Sequence, residues 1–252
     1  MRPGKIWIGG LPWMVDAEVA DSDVPIESRT MRFLPTEKGA YLGAGPPTSI
    51  CLHDKGAEGT AAQTYAHLRV KGLAVHASIE ADGTFVQYAD PAVTRTWHAG
   101  RANDWSVGIE ITNAMFPDLR KRRSGEKWAT FVRRLNPLGR PVVTRTYRGA
   151  KQDVLGHFPA QLETAAKVVA VLCEALGIPK RVPVDAKAAP WGGLLPKLRT
   201  SPTDRKKILG DIRAEAKSGV IGHYHVTNGH VDPASDVFDA LLASGFEAWR
   251  LG

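Results

Sequence analysis

The chain has 252 residues, 43% hydrophobic and 23% charged, the composition of an ordinary soluble globular protein large enough for a real core. No run approaches the roughly eighteen consecutive apolar residues of a membrane span, and stable membrane insertion is not expected. The net charge of +7 suits a polyanionic partner (nucleic acid, an anionic membrane face or an acidic wall polymer) without choosing among them, and is equally met by a solvated charged face.

The length predicts one domain, 1–252, carrying insertions. The N-terminus lacks a long apolar region and carries Asp16 and Glu18 early, so no secretory signal is read and synthesis is expected in a cytoplasm. Residues 1–47 are rich in glycine and proline and read as short strands and turns wrapped on the core. Residues 48–53 read as a strand, with Ile50 and Leu52 on one face and Cys51 and His53 on the other. Thr60 and Gln63 fit a capping box that opens a helix ending near Gly72. Residues 74–80 and 84–88 read as a hairpin turning at Asp82-Gly83. In the strand 106–112, Val107, Ile109 and Ile111 share one face, and Glu110 points the other way with Gly108. Residues 159–176 give the strongest helix, with proline at its first position, a stripe of Leu162, Ala166, Val169, Cys173 and Leu176, and Gly177 as its stop. Residues 220–222 read as a buried strand, 236–243 as a last helix closed by Gly245, and 204–217 as a helix within an insertion. The expected architecture is α/β, a central mixed sheet flanked by helices. Its core lies at about 48–112, 155–178 and 219–245, with insertions at about 114–150 and 182–218. Cys51 and Cys173 sit in apolar contexts and are expected as buried free thiols.

Within 223–232 stand His223, His225, His230 and Asp232, in a chain with 8 histidines. A catalytic zinc takes three protein ligands and keeps one position open. His53 at a strand end, His223 after a buried strand and Asp232 across a loop are suitable donors, and Glu110 is the nearest candidate to take a proton from water. Each has a plainer reading. His53 can be a satisfied strand-end histidine and Glu110 a surface carboxylate on an edge strand. Asp232 before Pro233 fits a helix N-cap, and His225 fits a loop or supporting role.

Taken together, the stretches AVHASIEADGTFVQY (74–88), TWHAG (96–100) and NDWSVGIE (103–110), then the late GH and aspartate, are specific as an ordered set. They resemble the zinc-dependent N-acetylmuramoyl-L-alanine amidases of the amidase-2 group, related to the peptidoglycan recognition proteins. The resemblance implies one Zn²⁺ held by His53, His223 and Asp232, with Glu110 as general base. The phage lysozyme-type members of the group carry a tyrosine where this chain has Val75, so the pattern here is that of the glutamate-bearing cytoplasmic muropeptide amidases. Where those enzymes have a lysine two residues before the last ligand, this chain has His230, an imidazole able to steady an oxyanion. His98 and Trp97 are expected to line the substrate cleft, and His76 to pack.

The implied activity is hydrolysis of the amide between N-acetylmuramic acid and L-alanine, in peptidoglycan or a soluble muropeptide. The basic balance and the insertions favour an endolysin-like role; the alternatives are a muropeptide-recycling amidase and a non-catalytic peptidoglycan-binding protein. The arginine runs lack interleaved stacking aromatics, so no nucleic-acid partner is expected.

Overall fold

A computed structural model describes residues 4–20, 46–114, 124–134, 136, 138–147, 150–184, 219–226, 230 and 232–250. The helix expected over 204–217 lies outside them. The chain opens with an antiparallel hairpin, β1 (Gly4–Ile8) and β2 (Leu11–Val15). It then builds the central sheet from β3 (Ser49–Asp54), β4 (Ala77–Ile79), β5 (Phe85–Gln87), β6 (Ser106–Ile111) and, much later, β10 (Gly219–Gly222). Their spatial order is β10-β3-β6-β4-β5, with four parallel neighbours and β5 antiparallel at one edge, so the sheet is mixed as expected.

Helix α1 (Ala61–Val70) links β3 to β4. Its reciprocal capping box is present: Thr60 Oγ1 accepts from the Gln63 N–H, and Gln63 Oε1 accepts from the Thr60 N–H. Helix α2 (Trp128–Arg134) and the hairpin β7 (Val142–Tyr147) with β8 (Ala150–Leu155) fill part of the first expected insertion. Helix α3 (Pro159–Leu176) has proline in its first turn and ends at Gly177 in the left-handed region, where the Ile178 N–H reaches back to the Cys173 carbonyl. Residues 182–184 belong to β9 (Arg181–Val184), which pairs in parallel with β11 (Glu247–Arg250). A short helix α4 (His223–Val226) and α5 (Asp236–Ala243) complete the described elements.

The two faces of the sheet do different work. Register puts Ile50, Leu52, Val107, Ile109, Ile79 and Val220 on one face, all fully or almost fully buried. Helix α3 covers this face together with the N-terminal hairpin, and Leu172 and Ile6 line a small cavity with Ala77, Val107 and Ile109. The buried side of α3 includes Ala165, Val168, Val169 and Leu172, while Leu162 and Leu176 from the expected stripe are only partly buried. The shift follows from packing: α3 lies against β2, β4 and α5 together, so its buried arc is wider than a single stripe. Cys51 and Cys173 are buried free thiols. Among the described residues, no helix is long and apolar enough to cross a membrane.

Candidate active site

On the other face of the sheet, parallel register sets His53 beside Glu110 and Glu110 beside Ser78. Side chains alternate along a strand, so Cys51, His53, Gly108, Glu110 and Ser78 share this face. β10 lies against β3 and runs straight into α4, which delivers His223 next to His53, ring centroids 4.4 Å apart. The chain then returns with Asp232. Its Oδ2 lies 3.1 Å from His223 Nδ1 and 3.7 Å from His53 Nδ1, and accepts from the Asp54 backbone N–H at 3.3 Å. The ligand atoms of His53, His223 and Asp232 lie within 4.8 Å of one another.

This donor set fits a catalytic metal. Two imidazoles and a carboxylate are the donors zinc accepts, and three of them leave a position open. His53 is buried, while the His223 and Asp232 side chains keep 9% and 13% exposure, so the group opens to solvent on one side. Burial, then the neighbouring His223, pushes the His53 pKa down to about 4, which keeps its ring neutral. Burial opposes ionisation of Asp232, but the three histidines around it, His223 nearest and then His230 and His53, outweigh it and hold the carboxyl well below the usual range. A second group, Cys51, His53 and His98, also has donor atoms within 4.8 Å. It is wholly buried, so unlike the first group it has no side open to a substrate, and in the metal-free protein burial followed by the charges of Asp232 and Glu110 holds the Cys51 thiol well up.

Glu110 sits on a central strand rather than an edge. It is buried, and its Oε2 finds no hydrogen-bond partner among the described residues. Burial first, then repulsion from Asp232 and Asp54, pushes its carboxyl well above the ordinary range, against a smaller pull from Lys55 and Lys71. A buried carboxylate oxygen left unpaired is costly, and such groups concentrate at sites of chemistry.

The N-cap alternative for Asp232 is not what the structure contains: α5 starts at Asp236 with Ser235 as its cap residue, and the Asp232 carboxylate faces histidines instead. His230 stacks on His223 with centroids 3.6 Å apart, Nδ1 3.5 Å from Asp232 Oδ1, and is half exposed. His98, expected in the cleft wall, is instead buried behind His53, its Nδ1 2.9 Å from His53 Nε2. The cause is Gly108, which leaves room for the ring directly on β6. Trp97 is 40% exposed, with the Arg95 guanidinium over its ring at 5.2 Å. His76 is buried, accepting from the Gly108 N–H through Nδ1 and donating to the Thr94 carbonyl through Nε2. His225 is buried and accepts from the Gly222 N–H, which braces the start of α4.

Sequence reasoning missed His157. It is buried between two carboxylates, donating from Nε2 to Asp54 at 2.7 Å and from Nδ1 to Asp236 at 2.8 Å. Burial opposes its charge, but Asp54 and Asp236 prevail and push its pKa up to about 10. Asp54 also accepts from the Ala234 N–H, and Asp236 from the His157 N–H, so the triad pins both ends of the segment between Asp232 and α5. The available signal was parity. Asp54 follows His53, must leave β3 on the aliphatic face, and there requires a buried cation.

Comparison with known proteins follows the same line. The family model described as N-acetylmuramoyl-L-alanine amidase (Amidase_2) matches residues 43–235, more than half of the chain, and the chain belongs to that family. It is therefore a peptidoglycan amidase by family. No curated protein matches it. Among solved structures, it is similar to the N-acetylmuramoyl-L-alanine amidase LysC from Clostridium intestinale (13% identity, 81% of this chain and 87% of that one, TM-score 0.43). It is also similar to the Staphylococcus aureus hydrolase AmiA in complex with its ligand (15% identity, 82% and 77%, TM-score 0.44). A selenomethionine derivative of AmpD gives 16% identity over 92% and 96%, with TM-score 0.45.

Proposed function

We propose that the chain is a zinc-dependent N-acetylmuramoyl-L-alanine amidase that hydrolyses the amide between the lactyl group of N-acetylmuramic acid and L-alanine. The observation that carries this reading is the convergence of His53, His223 and Asp232 one strand away from the buried Glu110 carboxyl, whose Oε2 has no hydrogen-bond partner among the described residues. His53 and His223 would hold the ion through Nδ1, the atoms that face Asp232. When bound, Zn²⁺ supplies Lewis-acid polarisation and brings the pKa of its water towards about 7.

The protein's own groups supply the rest. Glu110, when ionised, accepts a proton from the attacking water and returns it to the departing L-alanine amine. Its depth in the sheet keeps bulk water from competing for that proton. His230, at the solvent-facing rim against Asp232, donates to the oxyanion of the tetrahedral species. Trp97 offers an exposed ring for the sugar or stem peptide. His53 is oriented from behind by His98, so His98 acts in the metal site and not on the substrate.

The net charge of +7 favours an anionic wall polymer, and an endolysin-like lytic role is the preferred setting. The glutamate at the SVGIE position keeps a second reading open, a recycling amidase for soluble muropeptides. Parallel assays on insoluble peptidoglycan and on a soluble anhydromuropeptide separate the two. Faster turnover of the polymer supports the lytic reading, and turnover of the soluble fragment alone replaces it with recycling. No turnover of either, with zinc bound, removes the amidase reading.

A further inference from the structure

A histidine that ligates through Nδ1 must carry its proton on Nε2, and something must receive that proton. In this chain the receiving group is another histidine. His53 Nε2 lies 2.9 Å from His98 Nδ1, and the rings meet edge-on with an interplanar angle of 84°. The far nitrogen, His98 Nε2, faces the Ser106 backbone carbonyl at 3.3 Å. A carbonyl only accepts. The neighbouring Ser106 hydroxyl already donates to the Ala102 carbonyl at 2.6 Å, so at 3.4 Å from His98 Nε2 it too presents an oxygen. His98 Nε2 therefore bears a proton, its Nδ1 bears a lone pair, and the shared proton belongs to His53 Nε2.

We infer that His98 is a positioning residue that fixes the tautomer and ring orientation of His53, leaving His53 Nδ1 as the lone pair that faces Asp232 and His223. The order runs from the Ser106 carbonyl through two imidazoles to the ligand atom. Two features of the surrounding chain serve it. The backbone at His98 is clamped by Asn103, whose Oδ1 accepts from the His98 and Ala99 N–H groups at 2.8 and 2.7 Å. The ring lies flat on β6 at Gly108, where an added Cβ would stand 2.6 Å from His98 Cγ. Glycine in the SVGIE stretch is thus required by the histidine of the TWHAG stretch, and both serve His53.

The inference rests on the proposed metal reading for its purpose, but the tautomer is a property of the metal-free protein. Long-range ¹H–¹⁵N spectra of the imidazoles in zinc-free protein are the first readout. His53 with its proton on Nε2, changing to a mixture in His98→Leu, is the expected result. A proton on His53 Nδ1 in the unaltered protein overturns the inference. The second readout is zinc affinity by chelator competition. His98→Leu should bind about 10- to 100-fold more weakly, the usual cost of losing a group that orients a ligand. His98→Asn, whose Oδ1 can accept in place of Nδ1, should recover most of that loss, whereas a purely space-filling role would be met as well by leucine. Equal affinity in His98→Leu and the unaltered protein overturns the inference. If the unaltered protein binds no zinc, the proposed function falls, and the spectra alone decide the tautomer.

Discussion

His53 and Asp54 are chain neighbours that leave β3 on opposite faces, and the two halves of the site hang from that divergence. His53 enters the donor group with His223 and Asp232; Asp54 enters the buried ion pair with His157 while its own N–H donates to Asp232. One strand end thus presents one donor of the group and braces the segment at Asp232 and Ala234 that carries another.

Glu110→Gln keeps the shape of a buried side chain and removes its basicity. We expect the fold and zinc content to persist and turnover to fall by about 10²- to 10⁴-fold, the range for loss of a general base. Release of stem peptide from a defined muropeptide measures it. A rate within a few-fold of the unaltered enzyme would assign the base elsewhere.

Asp232→Ala tests the ligand assignment against a structural role. Ser235, and not Asp232, precedes α5, so the helix should survive the change while zinc affinity collapses. Equilibrium dialysis and far-ultraviolet circular dichroism report the two properties separately. Zinc retained at normal affinity would show that the carboxylate is not a ligand.

His230→Ala should lower turnover by about 10- to 10³-fold with little change in bound zinc, as for removal of one oxyanion donor. His230→Lys restores a donor and should recover part of that loss. The predicted signature is an effect on kcat larger than that on KM. Full activity in His230→Ala would reduce His230 to a ring packed on His223.

The Asp54–His157–Asp236 triad sets a pH dependence of stability. The folded pKa of His157 is about 10, above the roughly 6.5 expected when unfolded. Its contribution is therefore complete below about pH 6.5, declines as pH rises, and is gone above about pH 10, with a slope of about 1.4 kcal/mol per pH unit. Urea denaturation of the unaltered protein should show this decline, and His157→Asn should be less stable at pH 6.5, by about 3–5 kcal/mol, with a flatter profile. Parallel profiles for the two proteins would contradict the triad.

Much of this was legible in the sequence because local signals and tertiary demands agree. Pro159 and Gly177 bound α3, the Thr60 and Gln63 capping box starts α1, and alternation in 106–112 turns Glu110 away from Val107 and Ile109. The strand expected over 74–80 shortens to β4, since the His76 carbonyl accepts from Tyr88 and Ala89 beyond the ladder. Grouping of His53, His223 and Asp232 was reached through family resemblance; spacing alone left Asp232 open to a cap. What stayed hidden depended on contacts across long separations. The place of His98 requires Gly108 to be against its ring, and the charge of His157 requires Asp54 and Asp236 on either side. Strand parity marks Asp54 as needing a cation, but no local pattern names His157 as that cation or His98 as the ring on Gly108.

The central claim is zinc-dependent cleavage of the muramoyl–L-alanine amide, and digestion of purified peptidoglycan tests it most directly. Zinc-loaded protein is run beside a chelated control, and the released material is sequenced by mass spectrometry. The account predicts stem peptides with free L-alanine amino termini, absent under chelation and restored by added zinc. Intact polymer with zinc confirmed at the site, or cleavage unaffected by chelation, would contradict it.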